Sequence, residues 1–130
     1  MANQHVELNF NYPFDGKAIN DRGYEIAINE GEGVYPYDML LSALGSCLYA
    51  TFVSLTDKKK ITFETVHMDI SGEKREEIPA TLKVCHVVLT VDGGDNEKGL
   101  TKSMELACKY CSIYQTLTHV AEMSWEIKFA

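Results

Sequence analysis

Residues 35–60 read YPYDMLLSALGSCLYATFVSLTDKKK, and the rest of the chain has to fold around them. No charged residue lies between Asp38 and Asp57. The segment is rich in strong helix formers, and Pro36 stands where a helix can begin. The three lysines that follow complement the negative end of a helix dipole. We therefore predict one long helix over residues 39–56.

Apolar side chains occupy every side of this helix, so a one-sided amphipathic packing does not describe it. We predict that it is buried almost all round, by the chain's own sheet on one side and by a second copy of the protein on the other. Cys47 lies in its middle.

The uncharged run of this helix is at the lower limit of length for a membrane span. Its serines, threonines and Gly45 make it too polar for lipid, so we predict no membrane.

The bulk composition is that of an ordinary globular protein. The 130 residues are 45% hydrophobic and 24% charged, which predicts a single domain over residues 1–130. The net charge of −7 argues against nucleic acid or an anionic membrane as partner. The first residues, MANQHVELNF, do not resemble a secretory signal, so we expect a cytoplasmic protein. Four cysteines in that compartment are core residues, metal ligands or redox thiols.

Alternating apolar and polar residues predict the strands, and helical spacing predicts two further helices. The predicted strands cover residues 5–10, 17–20, 24–28, 65–70, 81–91 and 125–129, and the helices cover residues 97–110 and 112–119. The first three strands should form an antiparallel meander, because short turn motifs separate them. The order of elements predicts an α+β fold, with antiparallel sheet and helices on one face.

The cysteine pattern does not predict a metal site. Cys108 and Cys111 form one half of a zinc pattern, but a second pair is missing and the four histidines are scattered. The pair also ends a helix, whereas the thioredoxin motif opens one. Cys85, within a strand, is most simply a small core residue. For Cys47 and Cys111 the residues alone leave two alternatives, packed core or redox chemistry.

Two motifs resemble the signature of the OsmC/Ohr family, the osmotically inducible and organic hydroperoxide resistance proteins. They are PYDMLLSALGSC at residues 36–47 and YCSIYQTL at residues 110–117, and the resemblance spans nearly the whole chain. It implies an intertwined homodimer with sheets wrapped around two long buried helices. It also implies an antioxidant peroxidase without a cofactor, in which Cys47 attacks an organic hydroperoxide and Cys111 resolves the oxidised product. An external dithiol would then reduce the disulfide.

The chain departs from this family at the expected activating cation. Peroxidases of the hydroperoxide resistance type carry an arginine before an Asp-Gly turn, held by a glutamate at the start of the central helix. Here Phe14 and Asp38 occupy those places. We predict that Arg22, in the next turn, substitutes as the cation with Asp38 orienting it; the alternative is an exposed turn arginine. Cys108 is either a competing resolving thiol or a packed one.

Apolar walls around the attacking thiol would favour alkyl hydroperoxides over hydrogen peroxide. The residues predicted to form them are Phe14, Tyr37, Met39 and Tyr114.

The missing arginine also supports a different class of function. This is a dimeric binding module whose pocket holds a small apolar or electrophilic ligand beside cysteines that take no part in chemistry. A purely structural dimer is the third alternative, and it predicts that neither Cys47 nor Cys111 is accessible to a small alkylating reagent.

Overall fold

The computed structural model describes residues 4–130, and the elements within them match the predicted α+β class. They are β1 (Val6–Asn11), β2 (Asp15–Asn20), β3 (Glu25–Asn29), α1 (Pro36–Lys59), β4 (Thr65–Lys74), β5 (Leu82–Asp92), α2 (Glu97–Tyr110), α3 (Ser112–Thr118) and β6 (Glu122–Phe129). The chain divides into two compact units between Leu40 and Leu41, a point inside α1. The single domain expected from composition therefore stays a prediction.

The unit that ends at Leu40 contains a three-stranded sheet in the order β1-β2-β3. Both strand pairs are antiparallel, which confirms the predicted meander. Leu8 of β1 lies opposite Ala18, and Ala18 lies opposite Ile26 of β3, so these three side chains share one face. Leu8 and Ile26 are 48% and 49% exposed, so this apolar face is largely uncovered in the single chain.

The unit that begins at Leu41 contains the sheet β4-β5-β6. β5 is the central strand, and Cys85, Val87 and Leu89 on one of its faces are buried, as expected for an inner strand. β4 and β5 are antiparallel, but β5 and β6 are parallel, so the prediction of wholly antiparallel sheet is wrong for this pair. The physical reason is the connection: α2 and α3 carry the chain back along the sheet, and parallel neighbours need such a crossover.

One face of α1 belongs to the core of this second unit. Leu44, Leu48 and Phe52, spaced by one helical turn, are completely buried. Gly45 lies against β4, because a Cβ atom at that position would come within 2.8 Å of the Cδ1 atom of Ile70. The small residue thus lets α1 approach β4 closely, two residues before Cys47.

The opposite face of α1 is uncovered in the single chain. Ser46, Ala50 and Ser54 are exposed. Only 28% of the most apolar 18-residue window of α1 is buried, although its mean hydropathy of 1.6 and its length would suit a membrane span. The predicted burial all round is therefore reached on one side only within one chain. Burial of the other side by a second copy of the protein stays a prediction.

Candidate active site

Cys47 of α1 lies beside the start of α3. Its Sγ atom is 3.8 Å from the Oγ atom of Ser112, and the neighbouring side chain of Cys111 is one of the groups that lower the pKa of its thiol. Cys47 is partly exposed, whereas Cys111 is fully buried. The structure therefore brings together the two cysteines that the sequence placed 64 positions apart, and it does so with one sulfur open to solvent and the other enclosed.

Cys111 is held in place because it ends one helix and begins the next. Its backbone N–H donates to the carbonyl oxygen of Ala107 at 2.8 Å, which closes α2. Its Sγ atom accepts a hydrogen bond from the backbone N–H of Tyr114 at 3.4 Å, which caps α3. Its extended backbone, with φ −66° and ψ 119°, breaks the helical path between them. The sulfur therefore has a fixed position beside Cys47.

Hydrogen bonds lower the pKa of the Cys47 thiol below its ordinary value. The largest contribution is the backbone N–H of Ile113, and the side chain of Cys111 and the hydroxyl and N–H of Ser112 act in the same direction. Partial burial opposes them but does not cancel them. Each of these donors is neutral, so the contributions that lower the pKa of Cys47 within this unit come from hydrogen-bond dipoles.

The Cys111 thiol has the opposite behaviour. Burial raises its pKa first, and the hydrogen bond and negative charge of Cys47 raise it further, against the lowering effect of the Tyr114 N–H. The pKa of Cys47 therefore lies below its ordinary value and that of Cys111 above it. Of the two cysteines, Cys47 is the one that forms a thiolate, the reactive form of a cysteine, more readily.

Cys108 and Tyr114 form a second, more deeply buried part of this region. Burial raises the pKa of Cys108 to about 12, although a hydrogen bond with the Tyr114 side chain acts against that rise. Burial likewise raises the pKa of Tyr114 to about 12.

Cys85 is a core residue, as predicted, and burial raises the pKa of its thiol too. Within residues 4–130 no three Cys, His, Asp or Glu side chains are grouped as a metal ion requires.

Arg22 and Asp38 both lie in the unit that ends at Leu40. Arg22 is exposed in the turn after β2, where its backbone N–H donates to the Asn20 side chain at 3.0 Å. Asp38 accepts a hydrogen bond from the backbone N–H of Tyr35 at 2.9 Å, which caps the start of α1. The two residues form no ion pair in the described part of the chain. Arg22 as the activating cation stays a prediction.

The predicted wall residues are divided between the two units. Phe14, Tyr37 and Met39 belong to the first, where each is half-buried. Phe14 stacks on Phe10, with their ring centroids 5.6 Å apart. Tyr114 belongs to the second unit, where it is buried and contacts Cys108. A shared apolar pocket formed by all four remains a prediction.

Ser112 and the backbone of Ile113 are the site groups that the sequence did not reveal. Ser112 was expected only to begin a helix. The sequence did place Ser112 directly after Cys111, at a predicted helix boundary. The first residues of a helix present free N–H groups, so this position could have indicated hydrogen-bond donors beside the site. What the sequence could not indicate is that this boundary lies against the middle of α1.

The model of the family described as OsmC-like protein matches residues 29–126, which include both Cys47 and Cys111. The chain belongs to the OsmC-like family. This confirms the family that the two motifs resemble. A comparison with curated proteins found no match.

Several solved structures share the fold of this OsmC-like chain. A hypothetical protein from Aquifex aeolicus VF5 is 25% identical, with a TM-score of 0.83 and coverage of 100% of this chain and 99% of the other. An OsmC-like protein from Mycoplasma pneumoniae is 19% identical, with a TM-score of 0.88 and coverage of 99% and 98%. The organic hydroperoxide resistance protein OhrB of Bacillus subtilis is 16% identical, with a TM-score of 0.70 and coverage of 98% of each chain.

Proposed function

We propose that this OsmC-like protein is a cytoplasmic thiol-dependent peroxidase that reduces organic hydroperoxides, with Cys47 as the attacking and Cys111 as the resolving cysteine. The observation that carries this proposal is the placement of the partly exposed Cys47 beside the buried Cys111 at the start of α3. Hydrogen bonds that lower the pKa of Cys47, and burial that raises the pKa of Cys111, support it. A purely structural pair would not need one sulfur to be accessible. The names of OhrB and of a Legionella pneumophila neighbour, both called organic hydroperoxide resistance proteins, agree with this class of reaction.

The first step consumes the hydroperoxide. The Cys47 thiolate attacks the distal oxygen of ROOH, so an S–O bond forms and the O–O bond breaks. The leaving alkoxide takes a proton from solvent and departs as ROH, and Cys47 becomes a sulfenic acid. Donors aimed at the Cys47 sulfur keep it ionised before attack, so a larger fraction of the enzyme is reactive at neutral pH.

The second step uses Cys111. Its sulfur attacks the sulfur of the Cys47 sulfenic acid, a disulfide forms, and the sulfenic oxygen leaves as water with the thiol proton. Oxidation of Cys47 to a neutral sulfenic acid removes the negative charge that had raised the pKa of Cys111. The resolving thiol therefore ionises more easily after oxidation than before. Two exchanges with an external dithiol then return both cysteines to the reduced state.

Cys111→Ala should abolish disulfide formation, whereas the matched variant Cys108→Ala should leave it intact. Cys108 is buried, has a pKa of about 12 and is therefore a thiol at neutral pH, so it resolves poorly. One equivalent of cumene hydroperoxide should convert the Cys108→Ala protein to a Cys47–Cys111 disulfide, as seen by mass spectrometry. The Cys111→Ala protein should instead accumulate the Cys47 sulfenic acid, trapped with dimedone. A disulfide to Cys108 in the parent protein would contradict this assignment.

We also propose that the protein is a homodimer, with the uncovered face of α1 against the second copy. This face carries Ala50 and other small residues and has no charge between Asp38 and Asp57. The apolar face of β1 is uncovered too, and a monomer rarely exposes so much apolar surface.

Ala50→Arg should shift the protein from twice the chain mass of 14.6 kDa towards the monomer, because a charge would be buried at the interface. Light scattering after size-exclusion chromatography measures this mass. Ser71→Arg, on the exposed face of β4, is the control and should remain dimeric. A monomeric parent protein, or equal effects of both variants, would refute the proposed interface.

A further inference from the structure

We propose that Ser112 is a catalytic residue whose hydroxyl donates a hydrogen bond to the Cys47 sulfur and so holds the thiolate that attacks the hydroperoxide. The two atoms are 3.8 Å apart, a separation that suits a hydrogen bond to sulfur. A thiolate has no proton to donate, so in the reactive state the hydroxyl must be the donor. This inference rests on the proposed peroxidase function and adds to it a neutral group that contacts the attacking sulfur.

The Ser112 hydroxyl is aimed by the helix that it begins. Its backbone carbonyl accepts a hydrogen bond from the Thr116 hydroxyl at 2.8 Å, and the preceding residue, Cys111, caps α3. Within residues 4–130, Cys47 is the one hydrogen-bond partner of the Ser112 hydroxyl. The side chain is exposed, so removing the hydroxyl leaves no buried cavity.

The part of α1 around Cys47 has no charged side chain that could stabilise a thiolate. α1 carries no charge within the two turns on either side of Cys47. The groups that favour the thiolate are the backbone N–H groups of Ser112 and Ile113, the Cys111 thiol and the Ser112 hydroxyl. Of these four donors, only the Ser112 hydroxyl can be removed by substitution without altering the backbone or the resolving thiol. Its contribution is thus separately measurable.

The test measures the pH dependence of Cys47 alkylation by iodoacetamide, resolved by peptide mass spectrometry, in the full-length reduced protein. Ser112→Ala should raise the midpoint of the profile by about one pH unit, the loss expected for one hydrogen bond to a charged group. Ser112→Thr keeps the hydroxyl and should retain the parent midpoint. Ser46→Ala is the matched control, because this exposed neighbour of Cys47 donates to the Ala43 carbonyl and not to the thiol.

Cumene hydroperoxide consumption is measured on the same proteins. Below the shifted midpoint, Ser112→Ala should be up to about tenfold slower, and the difference should vanish at high pH where Cys47 is ionised in both proteins. An unmoved midpoint in Ser112→Ala, or an equal shift in Ser46→Ala, would overturn the role of Ser112 while leaving the peroxidase proposal intact. A parent protein that consumes no hydroperoxide would overturn the peroxidase proposal, and with it a catalytic role for Ser112, whatever the alkylation profile shows.

Discussion

Replacement of Cys47 by serine is expected to reduce the consumption of organic hydroperoxide to the uncatalysed rate. A serine hydroxyl is not ionised at neutral pH, so hydrogen bonds that stabilise a thiolate cannot make it a comparable nucleophile. Cys47 is partly exposed, so the variant should keep the fold and the thermal unfolding midpoint of the parent. The measurement is the loss of cumene hydroperoxide with dithiothreitol as the dithiol reductant.

Cys85→Ala is the matched control for this experiment. Cys85 lies in the same unit but is 1% exposed, and burial raises its pKa, so its removal should leave the rate largely unchanged. Full activity in Cys47→Ser would refute the two-cysteine mechanism. In that case the dimeric binding module would become the leading hypothesis, and tight binding of a small apolar ligand by both proteins would support it.

The largest effect on stability is expected from Phe52→Ala. Phe52 is completely buried on the sheet-facing side of α1, and its ring centroid lies 5.5 Å from that of Phe63. Truncating such a side chain removes apolar contacts and leaves a cavity, which should lower the free energy of unfolding by about 3–5 kcal/mol. Urea unfolding of the reduced protein, followed by circular dichroism, measures this loss.

Tyr49→Ala provides a control on the same helix. Tyr49 also packs against Phe63, edge to face at 6.4 Å between ring centroids, but it is 39% exposed. Its truncation should cost clearly less than that of Phe52. Both variants are compared at one protein concentration, because the stability of an oligomer depends on concentration. Equal losses would mean that the outward side of α1 is as well packed as the inward side, which the single chain does not provide.

Local patterns in the sequence were sufficient for the secondary structure. Every predicted helix and strand is present, and the prediction of α2 over residues 97–110 agrees with its observed bounds. The reason is that these elements depend on neighbours in the chain: alternation for strands, helical spacing for helices and turn residues between them. The strands that were predicted too short, such as β4, extend into a polar hairpin end where alternation loses its contrast.

The direction of β6 was the error in topology. The alternation of Trp125, Ile127 and Phe129 predicts a strand with one buried face but does not contain its orientation. Parallel pairing with β5 follows from the path of α2 and α3, which return the chain to the end of the sheet at which β5 begins. Orientation is set by how the preceding helices pack, and no pattern within six or eight residues records that.

The sequence by itself determined the family, the elements of the fold and the two cysteines worth considering, because motifs and periodicity are local properties of the chain. Only the tertiary structure decided how the thiols differ. It placed Cys47 against the first residues of α3, where Ser112 and Ile113 lower the pKa of its thiol, and it enclosed Cys111 and Cys108. A pKa depends on burial and on hydrogen-bond donors within a few ångströms, and residues 65 positions apart in sequence become neighbours only when the chain folds.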